Sequence, residues 1–181
     1  MDIIQGKFFK LNYTCVTIGK FDGVHIGHRQ IISKLIEVSK EFSYRSAVLT
    51  FDFDYFKSEN EKRLNTREEK KALLQKCGID ILVDYPFDGE TKNMTPEEFS
   101  KEVLVGKLDA KAVVVGDNFR FGKDAAGDVG ALKEFGNKYG FKVYSIPLVE
   151  FEGSMVSSTR IREELNAGHK KKVKAMLTGI N

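Results

Sequence analysis

The chain has 181 residues, enough to bury one core, and we expect a single domain over 1–181. Its composition is 41% hydrophobic and 30% charged, and no apolar run approaches the ~20 residues that cross a bilayer, which argues against a membrane protein. The net charge of +3 is too mild to favour a nucleic-acid partner, although it suits small anions. The first residues lack the pattern of an export signal, so we expect a cytoplasmic protein.

Short apolar segments rich in β-branched residues alternate with helical patterns along the chain. The predicted strands lie at 15–18, 47–51, 81–85, 112–115 and 143–146. Thr66 with Glu69, and Thr95 with Glu98, form the capping box that marks a helix start. Strand and helix in alternation predict an α/β fold, a Rossmann-like doubly wound parallel sheet of about five strands.

Some segments carry less information. Cys15 and Cys77 have no partners at metal-ligand spacing, so we expect two buried thiols and no metal site built from protein side chains. The polar segment 57–64 and the glycine-rich segment 119–130 are predicted to be loops. In a doubly wound sheet ligands bind beyond the carboxyl ends of the strands, so the residues that follow each strand are the ones to inspect.

The residues after the first predicted strand combine glycines with two histidines in the order Gly19, Lys20, Phe21, Asp22, Gly23, Val24, His25, Ile26, Gly27, His28. A helix is predicted to begin here, and its free amide groups and partial positive charge favour a phosphate. Imidazoles at the same place add hydrogen-bond donors. The alternative is that His25 and His28 are only turn and capping residues.

Two other segments carry groups that suit a nucleotide or a heterocycle. Three hydroxyl residues open a predicted helix that ends near Gly168, and Arg160 and Arg162 follow them. Hydroxyls and guanidinium groups together favour a phosphate ligand. The alternative is that Ser158 is an ordinary helix cap. The segment 116–122, GDNFRFG, offers rings, an amide and a guanidinium to a planar ligand. Its alternative is a loop anchored by two core phenylalanines.

Over about 13–179, the chain resembles the FAD synthetase module of bacterial bifunctional riboflavin kinase/FMN adenylyltransferases. The resemblance is carried by the order and spacing of four motifs, GKFDGVHIGH, TF, GDNFRFG and SSTRIREELNAG. The H-x-G-H motif alone is shared with the wider nucleotidylyltransferase superfamily. The resemblance implies ATP and FMN as substrates, Mg²⁺ held mainly by phosphates and water, and FAD and pyrophosphate as products. The alternatives are a nucleotidylyltransferase with another acceptor, or a nucleotide- or flavin-binding protein without turnover.

The resemblance also implies residue roles, since each motif has its counterpart in this sequence. The catalytic residues would be His25, His28 and Arg162. The ATP-binding residues would be Gly19, Phe21, Asp22, Gly23, His25, His28, Ser157, Ser158, Thr159 and Arg162. The flavin-binding residues would be Asn118, Phe119, Arg120 and Phe121.

The sequence departs from the family pattern at two places. Lys20 stands where the family usually has Asn, which changes the charge beside the phosphates. Asp52, Phe53, Asp54 and Tyr55 stand where it usually has a proline-histidine-proline loop. The family's riboflavin kinase module would begin shortly after Gly179, and we expect it to be absent from this chain.

Overall fold

The computed structural model describes residues 1–51 and 63–179, and in them the main element is a six-stranded parallel sheet. The strands are β1 Asp2–Gln5, β2 Thr14–Ile18, β3 Arg45–Phe51, β4 Ile81–Tyr85, β5 Ala110–Gly116 and β6 Lys142–Ile146. Their order in the sheet is β1-β4-β3-β2-β5-β6. The chain therefore winds outward from β2 to one side and then crosses back to β5, which makes the gap between β2 and β5 the switch point of the sheet.

Helices cover the faces of this sheet. They are α1 Ile26–Phe42, α2 Arg67–Lys76, α3 Gly89–Asn93, α4 Pro96–Glu98, α5 Val129–Tyr139, α6 Ser158–Asn166 and α7 Lys170–Thr178. A π-helix, Phe99–Lys107, continues α4, a 3-10 turn spans Lys123–Ala125, and the hairpin β7 Glu150–Phe151 and β8 Ser154–Met155 precedes α6. Both predicted capping boxes are present, at the starts of α2 and α4. Within the described residues, none of these helices is long and apolar enough to cross a membrane.

The core lies in two layers because successive strand residues point to opposite faces of the sheet. On β4, Ile81 and Val83 pack into one layer with the π-helix and α5, whereas Leu82 packs into the other layer with α1 and α2. A smaller cluster beneath α6 and α7 is built on Ile161 and Met176. It ties the C-terminal helices to the body of the domain.

The prediction of a doubly wound parallel sheet is confirmed, and so are all the predicted strands. The sixth strand, β1, was not predicted because it is a short edge strand whose residues are mostly exposed, so it lacks a continuous apolar pattern. Cys15 is buried as predicted, but Cys77 is half-buried because it caps the end of α2. The departure at Asp52–Tyr55, and most of the predicted loop at 57–64, lie outside the described residues.

Candidate active site

The turn between β2 and α1 has an unusual backbone. Phe21, Gly23 and Val24 all have positive φ angles, of 50°, 82° and 41°. A β-branched residue such as Val24 rarely adopts this conformation, which is tolerated where the surroundings determine the backbone closely. Val24 is fully buried, and a Cβ on Gly23 would lie 2.8 Å from a methyl carbon of Leu64. The turn is therefore a strained and tightly packed element, as is common at functional sites.

The two histidines of the motif lie together at the end of this turn. His25 caps α1, and its Nδ1 atom accepts a hydrogen bond of 3.4 Å from the backbone amide of His28. The two rings stack with centroids 3.7 Å apart, and the ring of Phe21 lies 5.0 Å from that of His28. His25 thus acts as the helix cap that the alternative interpretation expected, while both rings remain at the start of α1.

Burial keeps both imidazoles neutral. It lowers the pKa of His25 to about 4, an effect that the charge of Asp22 only partly offsets. Burial, followed by the charges of His25 and Lys70, lowers the pKa of His28 well below its usual range. Since His25 Nδ1 accepts a hydrogen bond, the proton of neutral His25 resides on Nε2, which leaves that nitrogen able to donate to a ligand. Among the described residues, the buried Nδ1 atom of His28 has no hydrogen-bond partner.

Asp22 joins this turn to two other parts of the chain. One carboxylate oxygen accepts a bond of 3.0 Å from Arg162, and the other accepts a bond of 3.1 Å from the backbone amide of Leu64. The Asp22 carbonyl oxygen accepts a bond of 2.8 Å from the Ser158 hydroxyl. Asp22 is buried, and its bonds anchor α6 against the turn.

The start of α6 separates the residues that the sequence grouped together. Its cap is Ser157, whose hydroxyl accepts a bond from the Arg160 amide, rather than Ser158, which bonds to the turn. Ser157 and Ser158 line a cavity beside the histidines, whereas Thr159 is exposed and lies outside that lining. Arg162 pairs with Asp22, so Ser157, Ser158 and Arg162 lie next to the turn, and Thr159 does not line the cavity there.

Arg160 has a different place from Arg162. Its guanidinium donates to the carbonyl oxygens of Phe151 and Ser154, at 2.8 and 2.6 Å. These bonds hold the hairpin β7–β8 against α6. Arg160 therefore stabilises the local structure, and Arg162 is the arginine beside the histidine turn.

A continuous cleft opens at the carboxyl ends of β2 and β5, at the switch point. A cavity of about 260 Å³ adjoins His25, His28 and the serines of α6, and a cavity of about 850 Å³ adjoins the loop after β5. The two cavities share four lining residues, Ile18, Gly19, Asn118 and Phe119. The smaller cavity adjoins the start of α1, which favours a phosphate group, and the larger cavity lies within the range of volumes typical of ligand pockets.

The loop after β5 supplies one wall of the larger cavity. The rings of Phe119 and Phe121 are stacked with centroids 5.4 Å apart, and Phe121 is buried while Phe119 is half-buried. Asn118 and Arg120 are exposed, and the Arg120 guanidinium lies 3.8 Å from Asp128. Phe121 is thus a core anchor, as one interpretation of the sequence held, and Phe119 presents an aromatic surface to the cavity.

Other cavity residues were missed by the sequence prediction. The opposite wall of the larger cavity is formed by Phe87, Thr91 and Lys92, which follow β4, and the smaller cavity is bounded by Pro147 and Leu148, which follow β6. The segment after β6 had been marked for inspection by the rule on strand ends, but its side chains carry no distinctive motif. Apolar walls of this kind cannot be told from core residues in a single sequence.

Fold and site together define a doubly wound α/β domain with a strained turn at its switch point, an arrangement typical of nucleotide-binding proteins. Comparison with known proteins places the chain more narrowly. The FAD synthetase family matches residues 9–160, and the chain belongs to that family. The chain is 32% identical over 166 residues to the FAD synthetase of Listeria monocytogenes, covering 90% of this chain and 67% of that protein.

Two bifunctional riboflavin kinase/FMN adenylyltransferases are similar to the same region. The protein of Buchnera aphidicola subsp. Schizaphis graminum is 34% identical over 171 residues, covering 90% of this chain and 55% of the relative. The protein of Escherichia coli K12 is 35% identical over 156 residues, covering 83% of this chain and 50% of the relative. The chain therefore spans about half the length of these bifunctional relatives.

Solved structures agree on the fold. A crystal structure titled macrolide-efflux protein from Streptococcus pneumoniae superposes with a TM-score of 0.84 at 24% identity, covering 98% of this chain and 60% of that one. A pantoate-beta-alanine ligase from Francisella tularensis gives a TM-score of 0.53 at 13% identity, covering 92% and 78%. At such identities these likenesses support the α/β fold alone.

Proposed function

We propose that this protein is an FMN adenylyltransferase, which forms FAD and pyrophosphate from ATP and FMN. The observation that carries the proposal is the continuous cleft, which has the histidine turn at one end and an aromatic cavity at the other. Gly19 and Asn118 border both parts, so a nucleotide and a flavin could meet there. Membership of the FAD synthetase family and similarity to named FMN adenylyltransferases support this choice of substrates.

The reaction is an in-line displacement. An oxygen of the FMN phosphate attacks the α phosphorus of ATP, the bond from that phosphorus to the oxygen bridging to the β phosphorus breaks, and pyrophosphate leaves with the bonding electrons. No bond to the protein forms, so the residues act by positioning the substrates and by stabilising charge in the transition state.

The histidine turn would act on the α phosphate. The free amide groups at the start of α1 and the Nε2–H group of His25 are donors suited to the phosphate oxygens as negative charge develops there. His28, packed between Phe21 and His25, would present its ring to the same group. Approach of an anion would favour protonation of these imidazoles and strengthen their hydrogen bonds.

The start of α6 would hold the departing pyrophosphate. Ser157 and Ser158 line the cavity beside the histidines, and Arg162 is held nearby through Asp22. We propose that the β and γ phosphates draw the Arg162 guanidinium partly away from Asp22 when ATP binds. Thr159 lies outside the lining of this cavity, so of the three hydroxyl residues it would contribute least, as a contact for the outermost phosphate.

The flavin would occupy the larger cavity. Phe119 offers a half-buried ring for stacking against the isoalloxazine, and Asn118, at the boundary of the two cavities, is placed to bond the FMN phosphate or the ring edge. Arg120 is exposed at the rim and would act on the FMN phosphate through longer-range attraction. Phe121 would support Phe119 from behind.

Magnesium would enter as part of the MgATP substrate. The described residues contain no group of three or more His, Cys, Asp or Glu side chains that could hold a metal ion. Asp22, the buried carboxylate of the turn, is already bonded to Arg162 and Leu64. We propose that phosphate oxygens and water coordinate the ion, an arrangement that Mg²⁺ tolerates well. We also propose that the reaction takes place in the cytoplasm, where ATP is available.

The experiment is to incubate the purified chain with ATP, FMN and Mg²⁺ and to follow FAD by mass and pyrophosphate by a coupled assay. Equal amounts of the two products are expected. Parallel reactions with CTP in place of ATP, and with nicotinamide mononucleotide or phosphopantetheine in place of FMN, test the choice of donor and acceptor. Product from one of these and none from FMN would overturn the proposal, as would binding of both substrates without pyrophosphate release.

A further inference from the structure

One buried cation near the cleft has no part in the mechanism described above. Lys70 lies on α2 and is only 2% exposed, on the same face of the helix as buried Leu74. Most lysines keep their ammonium groups in water, since burying a charge is costly unless specific partners compensate for it. A lysine in this position therefore requires an explanation from its contacts.

The contacts of Lys70 lead to the histidine turn. Its Nζ atom donates a hydrogen bond of 2.9 Å to the backbone carbonyl oxygen of Lys20, which lies in the turn after β2. It donates a second bond of 2.6 Å to the hydroxyl of Thr50, near the carboxyl end of β3. The Thr50 hydroxyl is itself 3.4 Å from the Lys20 carbonyl oxygen, to which it donates. Lys70 thus joins the ends of two neighbouring strands at the edge of the sheet where the cleft lies.

Within residues 1–51 and 63–179, the charges that face Lys70 come from several elements. They are Asp22 in the turn, Asp84 at the end of β4, Arg67 on α2, Arg63 before α2, and His28 on α1, whose own pKa is lowered in part by Lys70. Burial lowers the pKa of Lys70 to about 7, while the two aspartates raise it and the two arginines lower it. The ammonium and neutral amine forms of Lys70 are therefore both accessible near neutral pH.

We infer that Lys70 is a positioning residue of the phosphate site, which fixes the histidine turn through the Lys20 carbonyl and places a buried positive charge behind His28. The inference rests on the proposed function. A neutral, apolar side chain of similar length would fill the same space, so packing alone does not explain an ammonium group here. Its charge adds to the field of the α1 start, and that field is strongest where water is excluded.

The inference makes phosphate affinity depend on pH. As pH rises through the pKa of Lys70, the ammonium loses its proton and the site loses a positive charge, so triphosphate should bind less tightly. By reciprocity, if the charge improves binding about tenfold, bound triphosphate raises the pKa of Lys70 by about one unit. The pH profile of kcat/KM for ATP reports the free enzyme, and that of kcat reports the enzyme with ATP bound. The fall in kcat/KM on the alkaline side of its profile should therefore occur at lower pH than the corresponding fall in kcat.

Three variants separate the charge from the hydrogen bonds. Lys70→Met removes both, Lys70→Arg keeps a permanent charge, and Thr50→Val removes only the hydroxyl partner. Lys76→Met, a change at an exposed lysine on the same helix, is the matched control. Thermal unfolding of each variant shows whether it is folded before its activity is compared.

The primary readout is binding of inorganic tripolyphosphate by calorimetry, which does not require turnover. At about pH 6, we expect Lys70→Met to bind about tenfold more weakly than wild type, and at about pH 9 no more than about threefold more weakly. Lys70→Arg, which stays charged at both pH values, shows how much of any change in this ratio comes from the ligand's own ionisation. In turnover, Lys70→Arg should lose the alkaline limb that wild type shows in kcat/KM for ATP, and Lys76→Met should keep it.

The inference would be overturned if Lys70→Met bound tripolyphosphate more weakly than wild type by the same factor at about pH 6 and at about pH 9. A purely structural lysine would have an equal effect at both pH values. If Lys70→Met does not fold, the wild-type pH profile set against that of Lys70→Arg still decides the matter. Failure of the proposed function would look different, since wild type would then bind tripolyphosphate with the expected pH dependence and form no FAD.

Discussion

The two ends of the cleft are built in contrasting ways. At the histidine end the turn residues are buried, and Asp22 connects them to α6 and to the segment before α2. At the aromatic end the polar groups, Asn118 and Arg120, are exposed, and the cavity is larger and bounded by rings. A rigid, cross-connected end suits chemistry that needs fixed donors, whereas an open apolar end suits recognition of one acceptor. Substitutions at the first end should therefore change turnover, and those at the second should change acceptor affinity.

The largest effect is expected for His28→Ala. Loss of a donor that acts in the transition state typically costs about 10²-fold or more in kcat, and we expect at least that loss in FAD formation. The fold should survive because His28 lies at the start of a helix and is not one of the fully buried residues of the core. The measurement is steady-state FAD synthesis together with thermal unfolding.

His169→Ala is the matched control for that variant. His169 lies between α6 and α7, and its exposed ring bonds to half-buried Glu164. Turnover of the control should stay near the wild-type value. If the two alanine variants retained similar activity, the histidine end would have no special role and the contrast between the two ends would disappear.

The second prediction compares the two arginines of α6. Arg162→Ala should reduce kcat/KM for ATP by about 10- to 100-fold, since a charge-assisted hydrogen bond contributes roughly 1.5–3 kcal/mol, while the KM for FMN changes little. Arg160→Ala removes bonds to the hairpin carbonyls and should lower the unfolding temperature more than it lowers turnover. A rise in the KM for FMN in Arg162→Ala would place this residue at the other end of the cleft.

The third prediction concerns the aromatic end. Phe119→Ala removes a ring from the cavity wall, and we expect the KM for FMN to rise about 3- to 10-fold, equivalent to the roughly 0.5–1.5 kcal/mol of an aromatic pair. The KM for ATP should change less, although Phe119 also borders the smaller cavity. Phe119→Tyr, which keeps the ring, is the control. An ATP effect larger than the FMN effect would mean that the ring serves the adenine instead.

Much of this arrangement was predictable from sequence because it depends on local pattern. The continuous apolar strands predicted the parallel sheet, and the histidine motif between a strand and a helix predicted the position of the turn. The family resemblance is confirmed by the match over residues 9–160. The individual roles of His25, His28 and Arg162 in catalysis stay predictions.

What sequence could not supply depends on tertiary packing. Residues two apart on a helix point in nearly opposite directions, so only the packing of α6 decides that Arg162, and not Arg160, meets the turn. Adjacent serines are equally able to cap a helix, so the sequence alone could not decide that Ser157 rather than Ser158 does so. The position of Lys70 four residues before Leu74, on a buried helix face, was the available signal for its burial.

The smallest effect is expected at the rim of the aromatic end, for Arg120→Ala. The Arg120 side chain is 59% exposed, and its guanidinium lies 3.8 Å from Asp128, so part of its charge is already compensated. Exposed pairs of this kind contribute little to stability, and the unfolding temperature should not change measurably. In water, a unit charge acting on the FMN phosphate over about 8 Å changes its energy by only roughly 0.5 kcal/mol, which predicts about a twofold rise in the KM for FMN at low salt. The rise should shrink at about 0.5 M salt, where screening shortens the reach of the charge to a few ångströms. Lys123→Ala, which removes another exposed cation from the same loop, measures the nonspecific part of the effect. A loss of tenfold or more that persists at high salt would show instead that Arg120 bonds FMN directly, and the aromatic end would then share the fixed, charged character of the histidine end.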